Sequence, residues 1–459
     1  MTTSDPTAID AGLATLARRA HALDVAVHTV QATVGGEPVA TAACAPLGLD
    51  VPQRMYSVSK TVTGLAVGLL AAEGKVSLDD PVVRHFPEMA PVHPWLEATT
   101  LRHMLAMRGP HRSTTYEVRD GGWLESYFRV PPSHRPGTMF TYDTSASYTL
   151  AALVERTAGS SLTEYLRPRV FDPLGMSPGL RFLTGPDGFS HGGSGLVCTP
   201  RDLLRLAHLL LDDGVAGGER LLPADYLRAA TSPQTDTATA TWGAEFRGAY
   251  GYQLWLPPRG GWLMFGLGGQ VVYGHPGHQL AVVVTADAQA AGSGDTKLLD
   301  LVLAHVVDPA VDGPAASRGP APAHDAVELT WPAPRHDAAH ARPLTGRWSG
   351  RTADGDPVEL ALRLDERGGT VSSTAGLVLE LSFDGPVRTT VADDPAVITA
   401  AWSAPGVLDV RCAGHGDELA TTRMRLVAPG DGTLTVQSQG FGETLDPRWT
   451  FLATCSPAG

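Results

Sequence analysis

One segment constrains the fold of this chain more than any other. The run that opens at Ser57 carries Val62, Leu65, Val67, Leu69 and Leu70, is apolar on nearly every side, and stops at Gly74. A helix with that pattern has no polar face for water, so it must run through the centre of a domain. It cannot cross a bilayer, because its apolar stretch falls far short of the roughly 20 residues a span requires.

The flanking sequence supplies layers to bury it. Residues 8–23 carry apolar side chains at helical spacing, and two strand-like runs, 25–32 and 39–44, follow around Gly35-Gly36. Residues 80–240 mix helices and loops, with 203–211 the clearest helix. Strand-like runs return at 250–256, 261–265, 271–273 and 281–286, and a helix over 296–306 closes the region. Strands at both ends with helices between imply that the first strands join the later ones in one sheet. The expected class is α/β, more strictly α+β: a sheet flanked by helices, with a helical insertion to one side.

From Asp308 to His340 six of 33 residues are proline, with no periodicity, which reads as a semi-rigid linker. Short alternating runs then appear at 358–364, 377–381, 408–411, 423–427, 434–436 and 449–452. Turn pairs such as Gly368-Gly369, Asp384-Gly385 and Asp431-Gly432 separate them. This is the pattern of an all-β barrel or sandwich. Three parts are therefore expected: 1–307, a linker over 308–340, and a β-domain over 341–459.

Composition narrows the function. A net charge of −13 and the lack of any basic stripe exclude a nucleic-acid binder, which needs clustered cations against phosphates. The start of the chain, Met1-Thr2-Thr3-Ser4-Asp5-Pro6, lacks a basic segment followed by an apolar core. Cys44, Cys198, Cys412 and Cys455 show no metal-ligand spacing. The expectation is a cytoplasmic protein without membrane partner, metal, nucleotide or flavin.

The chemistry concentrates at three places. In Ser57-Val58-Ser59-Lys60 the serine and lysine stand three apart on one helix face and can meet. A hydroxyl needs an adjacent base to attack a carbonyl, and a desolvated lysine can serve. The backbone N–H of Ser57, at a helix start, is placed to stabilise an oxyanion. Of 35 basic residues only Lys60, Lys75 and Lys297 are lysines. Arginine cannot give up its proton, so a lysine one turn after a serine is hard to read as surface decoration. The second place is Pro136-Gly137-Thr138-Met139-Phe140-Thr141-Tyr142-Asp143-Thr144, where a turn leads into a helix. A phenol there can relay a proton, although spacing alone equally allows a core or capping tyrosine. The third is Phe265-Gly266-Leu267-Gly268-Gly269-Gln270 between two strands. Its glycines would let a substrate approach the backbone, and an N–H there would complete an oxyanion hole; alone, it would be a tight hairpin turn.

Taken in order, these elements resemble the serine β-lactamase and penicillin-binding-protein superfamily, especially its class C-like esterases and D-amino-acid peptidases. That superfamily's signature pairs S-x-x-K with a K-T-G element. Supporting text lies around Ser57, at Glu73-Gly74-Lys75-Val76-Ser77-Leu78-Asp79-Asp80-Pro81-Val82, at Leu101-Arg102-His103-Met104-Leu105, at Phe171-Asp172-Pro173-Leu174-Gly175-Met176, and at Gly192-Gly193-Ser194-Gly195-Leu196. The likeness runs from about residue 8 to 306, and the tail looks like the lipocalin-like β-domains that some members append.

The resemblance implies that Ser57 is the acylated nucleophile, Lys60 its activating partner and Tyr142 the general acid/base. The N–H groups of Ser57 and Gln270 would form the oxyanion hole. Two departures bear on substrate. Thr144 stands where the family has the Asn of Tyr-x-Asn. Leu267, followed by Gly268-Gly269, stands where a Lys or His would bind a substrate carboxylate. The implied function is a hydrolase of small esters or amides, an esterase or amidase, that needs no terminal carboxylate. An acyltransferase or peptide cyclase would use the same residues. A β-lactamase, a D-alanyl-D-alanine carboxypeptidase or a non-enzymatic binder on this scaffold are the other readings. Gly175-Met176-Ser177-Pro178-Gly179 matches G-x-S-x-G, but its proline-rich flanks read as loop instead of the strand and helix that elbow needs.

Overall fold

The strand-like runs 25–32 and 281–286, from opposite ends of the region, are expected to join one sheet. The computed structural model, which describes residues 6–118, 121–312, 327–333, 335–373, 378–391, 393–443, 445 and 449–458, places them side by side. Ala26–Val34 pairs antiparallel with Leu280–Asp287 at the centre of an eight-stranded sheet. From Leu280–Asp287 the sheet continues through Gln270–His275, Trp262–Gly266, Trp255–Leu256, Ala249–Tyr250 and Thr235–Asp236. Glu37–Ala43 forms its other edge. Val282 and Val284 face one core with Leu13, Leu16 and Leu298. Val283 and Ala281 face the other with Leu65 and Leu206. With a core on each face, Ala26–Val34 is buried from Ala26 to Thr33 although Thr29, Gln31 and Thr33 alternate with apolar residues, and Leu280–Asp287 is buried throughout.

The helix Val58–Ala72 is buried from Val58 to Leu70, as its all-round apolar surface requires. Two glycines inside it look like weak points, yet they create room. A Cβ on Gly68 would sit 2.5 Å from the Tyr226 ring, and the Tyr226 hydroxyl donates to Gly64 O at 2.5 Å. Among the described residues no helix is long and apolar enough to cross a membrane.

The C-terminal strands form one ten-stranded antiparallel sheet. Its end strands, Val378–Ser382 and Val387–Val391, are consecutive in sequence, so the sheet curls into a nearly closed all-β barrel. The chain is thus an α/β protein with antiparallel sheets and helices, followed by this barrel.

Several elements differ from expectation. The run 250–256 is two short strands, Ala249–Tyr250 and Trp255–Leu256, folded against each other; a reversal at Gly251 to Leu254 breaks the ladder. Four barrel strands carry little sequence signal. Leu344–Thr352 is mostly exposed and polar. Asp394–Ala404 opens Asp-Pro and is alanine-rich, against β-propensity, and Val387–Val391 is too short and polar to stand out. Gly368-Gly369 is not a turn but begins the strand Gly368–Ser373. Carbonyls of Leu381 and Arg363 approach there to about the distance a Cβ would need to occupy. Of the expected linker, Asp308–Asp312 is helical, and Trp331 is buried with Nε1 donating to Ala45 O at 2.7 Å. Residues 313–326 of it, and Leu377 in the barrel, lie outside the described residues.

The barrel is fastened to the first sheet by polar contacts. Asp24 pairs with Arg411 at 2.7 Å and with Arg423. Thr421 donates to the buried Asp287, and Gln289 Nε2 donates to Leu419 O at 2.5 Å.

Gly68→Ala should destabilise the protein by about 1–3 kcal/mol through overpacking against Tyr226, although alanine is the better helix former by about 1 kcal/mol. Chemical denaturation of both proteins measures this. An unchanged or higher midpoint would show that Tyr226 yields.

Candidate active site

Ser57 precedes the buried helix with φ −66° and ψ −6°, and its side chain makes no capping hydrogen bond. A serine at this position usually accepts from the first turn. Here the hydroxyl is free for other work: Lys60 Nζ lies 2.8 Å from Ser57 Oγ. The same nitrogen donates to Gly193 O at 2.8 Å, which fixes the amine against the Gly192-Gly193 loop. That loop is itself held by Thr63 Oγ1 donating to Gly192 O at 2.8 Å.

Lys60 is only 1% exposed. Desolvation pulls its pKa from 10.5 down to about 7, against the opposing pull of Asp143, Glu443 and Glu117. Near neutral pH a substantial share of the amine is therefore uncharged and able to accept a proton. Tyr142 is the third member. Burial pushes its phenol well above the ordinary pKa, and the Ser57 hydroxyl works against that rise. Lys60 Nζ sits 4.8 Å from the centre of its ring. The ring stacks on Trp255 at 5.6 Å and meets Trp242 edge-on at 4.8 Å. The ordering of the two pKa values assigns roles: the amine can be the base, while the phenol keeps its proton and can pass it on.

Sequence reading overlooked Asp143, seeing only that it preceded Thr144. It caps the helix Thr144–Ala158, with Oδ1 accepting from Ser145 N at 2.9 Å, while Oδ2 is buried with no hydrogen-bond partner among the described residues. Burial raises its pKa from 3.8 to about 7, and Lys60 works against that rise. Thr144 N donates to Thr114 Oγ1 at 3.1 Å, and its methyl faces Gly193. It thus lies beside the loop that holds Lys60.

The glycine turn takes its place through a close approach. The position of a Cβ on Gly266 is 2.4 Å from Met55 O, so only glycine lets this strand end lie against the residues leading to Ser57. The Gln270 side chain braces the turn, with Nε2 donating to Ala286 O at 2.6 Å and Leu267 O at 3.3 Å. Gly268 and Gly269 have φ of +78° and +91°, which demands glycine. On the side where a Cβ would stand they are packed, with Cβ positions 2.7 Å from Leu419 and 2.6 Å from Leu298. Leu267 and Gly268 do line a cleft of about 260 Å³, together with Phe441 and Gly442 of the barrel.

The barrel also touches the chain just before Ser57. Leu419 N donates to the Tyr56 hydroxyl at 2.9 Å, and Arg54 N donates to Gly416 O at 3.2 Å. Arg54 pairs with Glu443 at 3.3 Å, donates through Nε to Ser194 O at 2.9 Å, and lies over the Tyr56 ring. Tyr56 has φ +44°, a strained value for a tyrosine that persists only where surroundings over-determine it.

With this geometry the comparisons with known proteins agree. A model described as Beta-lactamase matches residues 14–306. The chain belongs to the beta-lactamase family. Protein Rv1367c of Mycobacterium tuberculosis is 28% identical to it, over 60% of this chain and 82% of that protein. The 6-aminohexanoate-dimer hydrolase of Paenarthrobacter ureafaciens is 26% identical, over 49% and 68% respectively. The solved structure of SurE aligns with a TM-score of 0.53 at 20% identity, covering 90% of this chain and 97% of that one. At that identity SurE speaks to the fold alone, but its coverage extends past the beta-lactamase family region into the barrel. Esterase EstB of Burkholderia gladioli, 30% identical over 28% of this chain and 38% of that protein, is a further relative, and the chain carries the beta-lactamase fold.

The pH dependence follows from the pair Lys60 and Asp143. Below about pH 7 the Lys60 amine is protonated and cannot accept the Ser57 proton, so kcat/KM should fall as pH drops through that value. Asp143 titrates over the same range and, as carboxylate, favours the ammonium, so the limb belongs to the pair. Asp143→Asn keeps the cap and removes the charge, and should move the limb to lower pH. A pH–rate profile of both proteins checks this; a limb that stays put would exclude the coupling.

Proposed function

We propose that the chain is a serine hydrolase that forms an acyl-enzyme on Ser57 from a small ester or amide. One observation carries the reading: Ser57 Oγ is not spent on capping and lies 2.8 Å from an amine that burial holds near pKa 7. Lys60 takes the hydroxyl proton as the oxygen attacks the substrate carbonyl. Tyr142, whose phenol stays protonated, returns a proton to the leaving group. The N–H groups of Ser57 and Gln270 are the proposed oxyanion donors. Water then attacks the acyl group, and the same residues act in reverse.

The surroundings favour a substrate without a carboxylate. Leu267 offers no cation, Arg54 is engaged by Ser194 and Glu443, and Asp143, Glu117 and Glu443 all act on Lys60 as negative charges. An anionic substrate would meet repulsion with no compensating partner. Hydrolysis and transfer to an amine or alcohol share these residues. Product analysis with an added nucleophile separates them.

The test is turnover of p-nitrophenyl butyrate. Ser57→Ala should lose activity on the order of 10³-fold or more, and Tyr142→Phe on the order of 10²–10⁴-fold. Activity retained in Ser57→Ala would place the nucleophile elsewhere and end the proposal. Leu267→His should improve KM for carboxylate-bearing esters; no gain would remove the stated reason for substrate choice.

A further inference from the structure

The barrel interior is filled unevenly. Towards one end its inward positions carry Trp402, Leu408, Leu426 and Leu434, all buried and in mutual contact. Towards the other end the same strands present their smallest side chains. Ala396 stands opposite Gly414, and Gly414 opposite Ala420, so three neighbouring strands contribute no bulk at one level. One step further in, Cys412 faces Thr422. Residues two apart share a face of a strand, which puts 410, 412 and 414, and likewise 420, 422 and 424, on the interior side.

The result is a cavity of about 450 Å³. Close-packed interiors leave few voids larger than a water molecule, whereas this volume lies in the range of small-molecule pockets, roughly 300–1,000 Å³. Its wall is apolar, from Leu379, Val410 and Met424 to Leu445 and Trp449. Its lining also includes Asp393, Asp394, Asp417 and Glu418. Arg181 pairs with Asp417. Asp394 accepts from Asp417 N at 3.2 Å. Burial raises the Asp394 pKa, and the neighbouring Asp417 and Glu418 push the same way. An apolar hollow ringed by crowded carboxylates is complementary to a cation with an apolar tail.

We propose that this cavity is a binding site for a small organic ammonium bearing an alkyl chain, distinct from the Ser57 centre. The alkyl chain fills the hollow left by Ala396, Gly414 and Ala420, and the ammonium sits between Asp393 and Asp394. The assignment does not rest on the proposed hydrolase activity.

Calorimetric titration of the full chain with octylammonium chloride, sodium octanoate and 1-octanol tests it. Octylammonium should bind saturably at one per chain and at least tenfold more tightly than octanoate. Ala396→Leu fills the hollow and should weaken octylammonium at least tenfold, with circular dichroism and thermal midpoint as checks on folding. Thr422→Leu fills the same space from another strand and serves if the first variant fails to fold. The double change Asp393→Asn and Asp394→Asn should weaken octylammonium severalfold while leaving octanol unaffected. No saturable binding, equal affinity for octanoate, or unchanged affinity in a folded cavity-filling variant would each overturn the proposal. Full octylammonium affinity in the carboxylate variant would do so too.

Discussion

The structure turns on keeping one ammonium out of water. Lys60 projects from a helix with no hydrated face, and burying an isolated charge there is so unfavourable that the group gives up its proton instead. The pKa near 7 is a consequence of packing on every side of Val58–Ala72. The neighbouring elements then specify where the neutral amine points. The Gly193 carbonyl holds it on one side, Ser57 receives it on another, and the Tyr142 ring covers it. Asp143 limits how far the shift can go, since its carboxylate favours the charged amine. Both groups are moved towards neutrality by the same low-dielectric surroundings.

The barrel belongs to this arrangement. Its turn between Val407–His415 and Leu419–Val427 reaches the backbone of Arg54 and the hydroxyl of Tyr56, and Glu443 occupies Arg54. Tyr56 carries backbone strain of about 1–3 kcal/mol, and a contact at its hydroxyl, a cation over its ring and the serine that follows all hold it in place. Asp24 with Arg411 and Arg423 anchors the barrel on the other side. Arg411 is only 4% exposed, so removing Asp24 would leave a buried charge unpaired, which is why such a pair resists separation once formed.

What could be read from sequence was whatever left a local pattern. The Ser57 helix was legible because its apolar residues lie on all sides. Joining of the early and late strands was legible because strand-like runs lay at both ends of the region with helices between. The serine and lysine stood out by residue type and spacing, whereas Tyr142, which spacing alone reads as a core or capping residue, was picked out by the family resemblance. The barrel strands Leu344–Thr352 and Val387–Val391 were not legible, because strands with few buried residues carry polar side chains that resemble loop. Asp143 was missed because an aspartate before a helix looks like an ordinary cap. Only burial of its second oxygen, by residues distant in sequence, changes its chemistry.

The sequence by itself determined the family, the buried helix and the spacing that lets Ser57 and Lys60 meet, because those follow from periodicity and from residues a single turn apart. Tertiary structure alone decided the Lys60 pKa, the charge state of Asp143, the close approach of Gly266 to Met55, and the barrel's contact with Tyr56. It also decided the cavity made where Ala396, Gly414 and Ala420 fall level. Each depends on atoms brought together from separate parts of the chain. Desolvation, strand register and packing are properties of that assembly, not of any local stretch of residues.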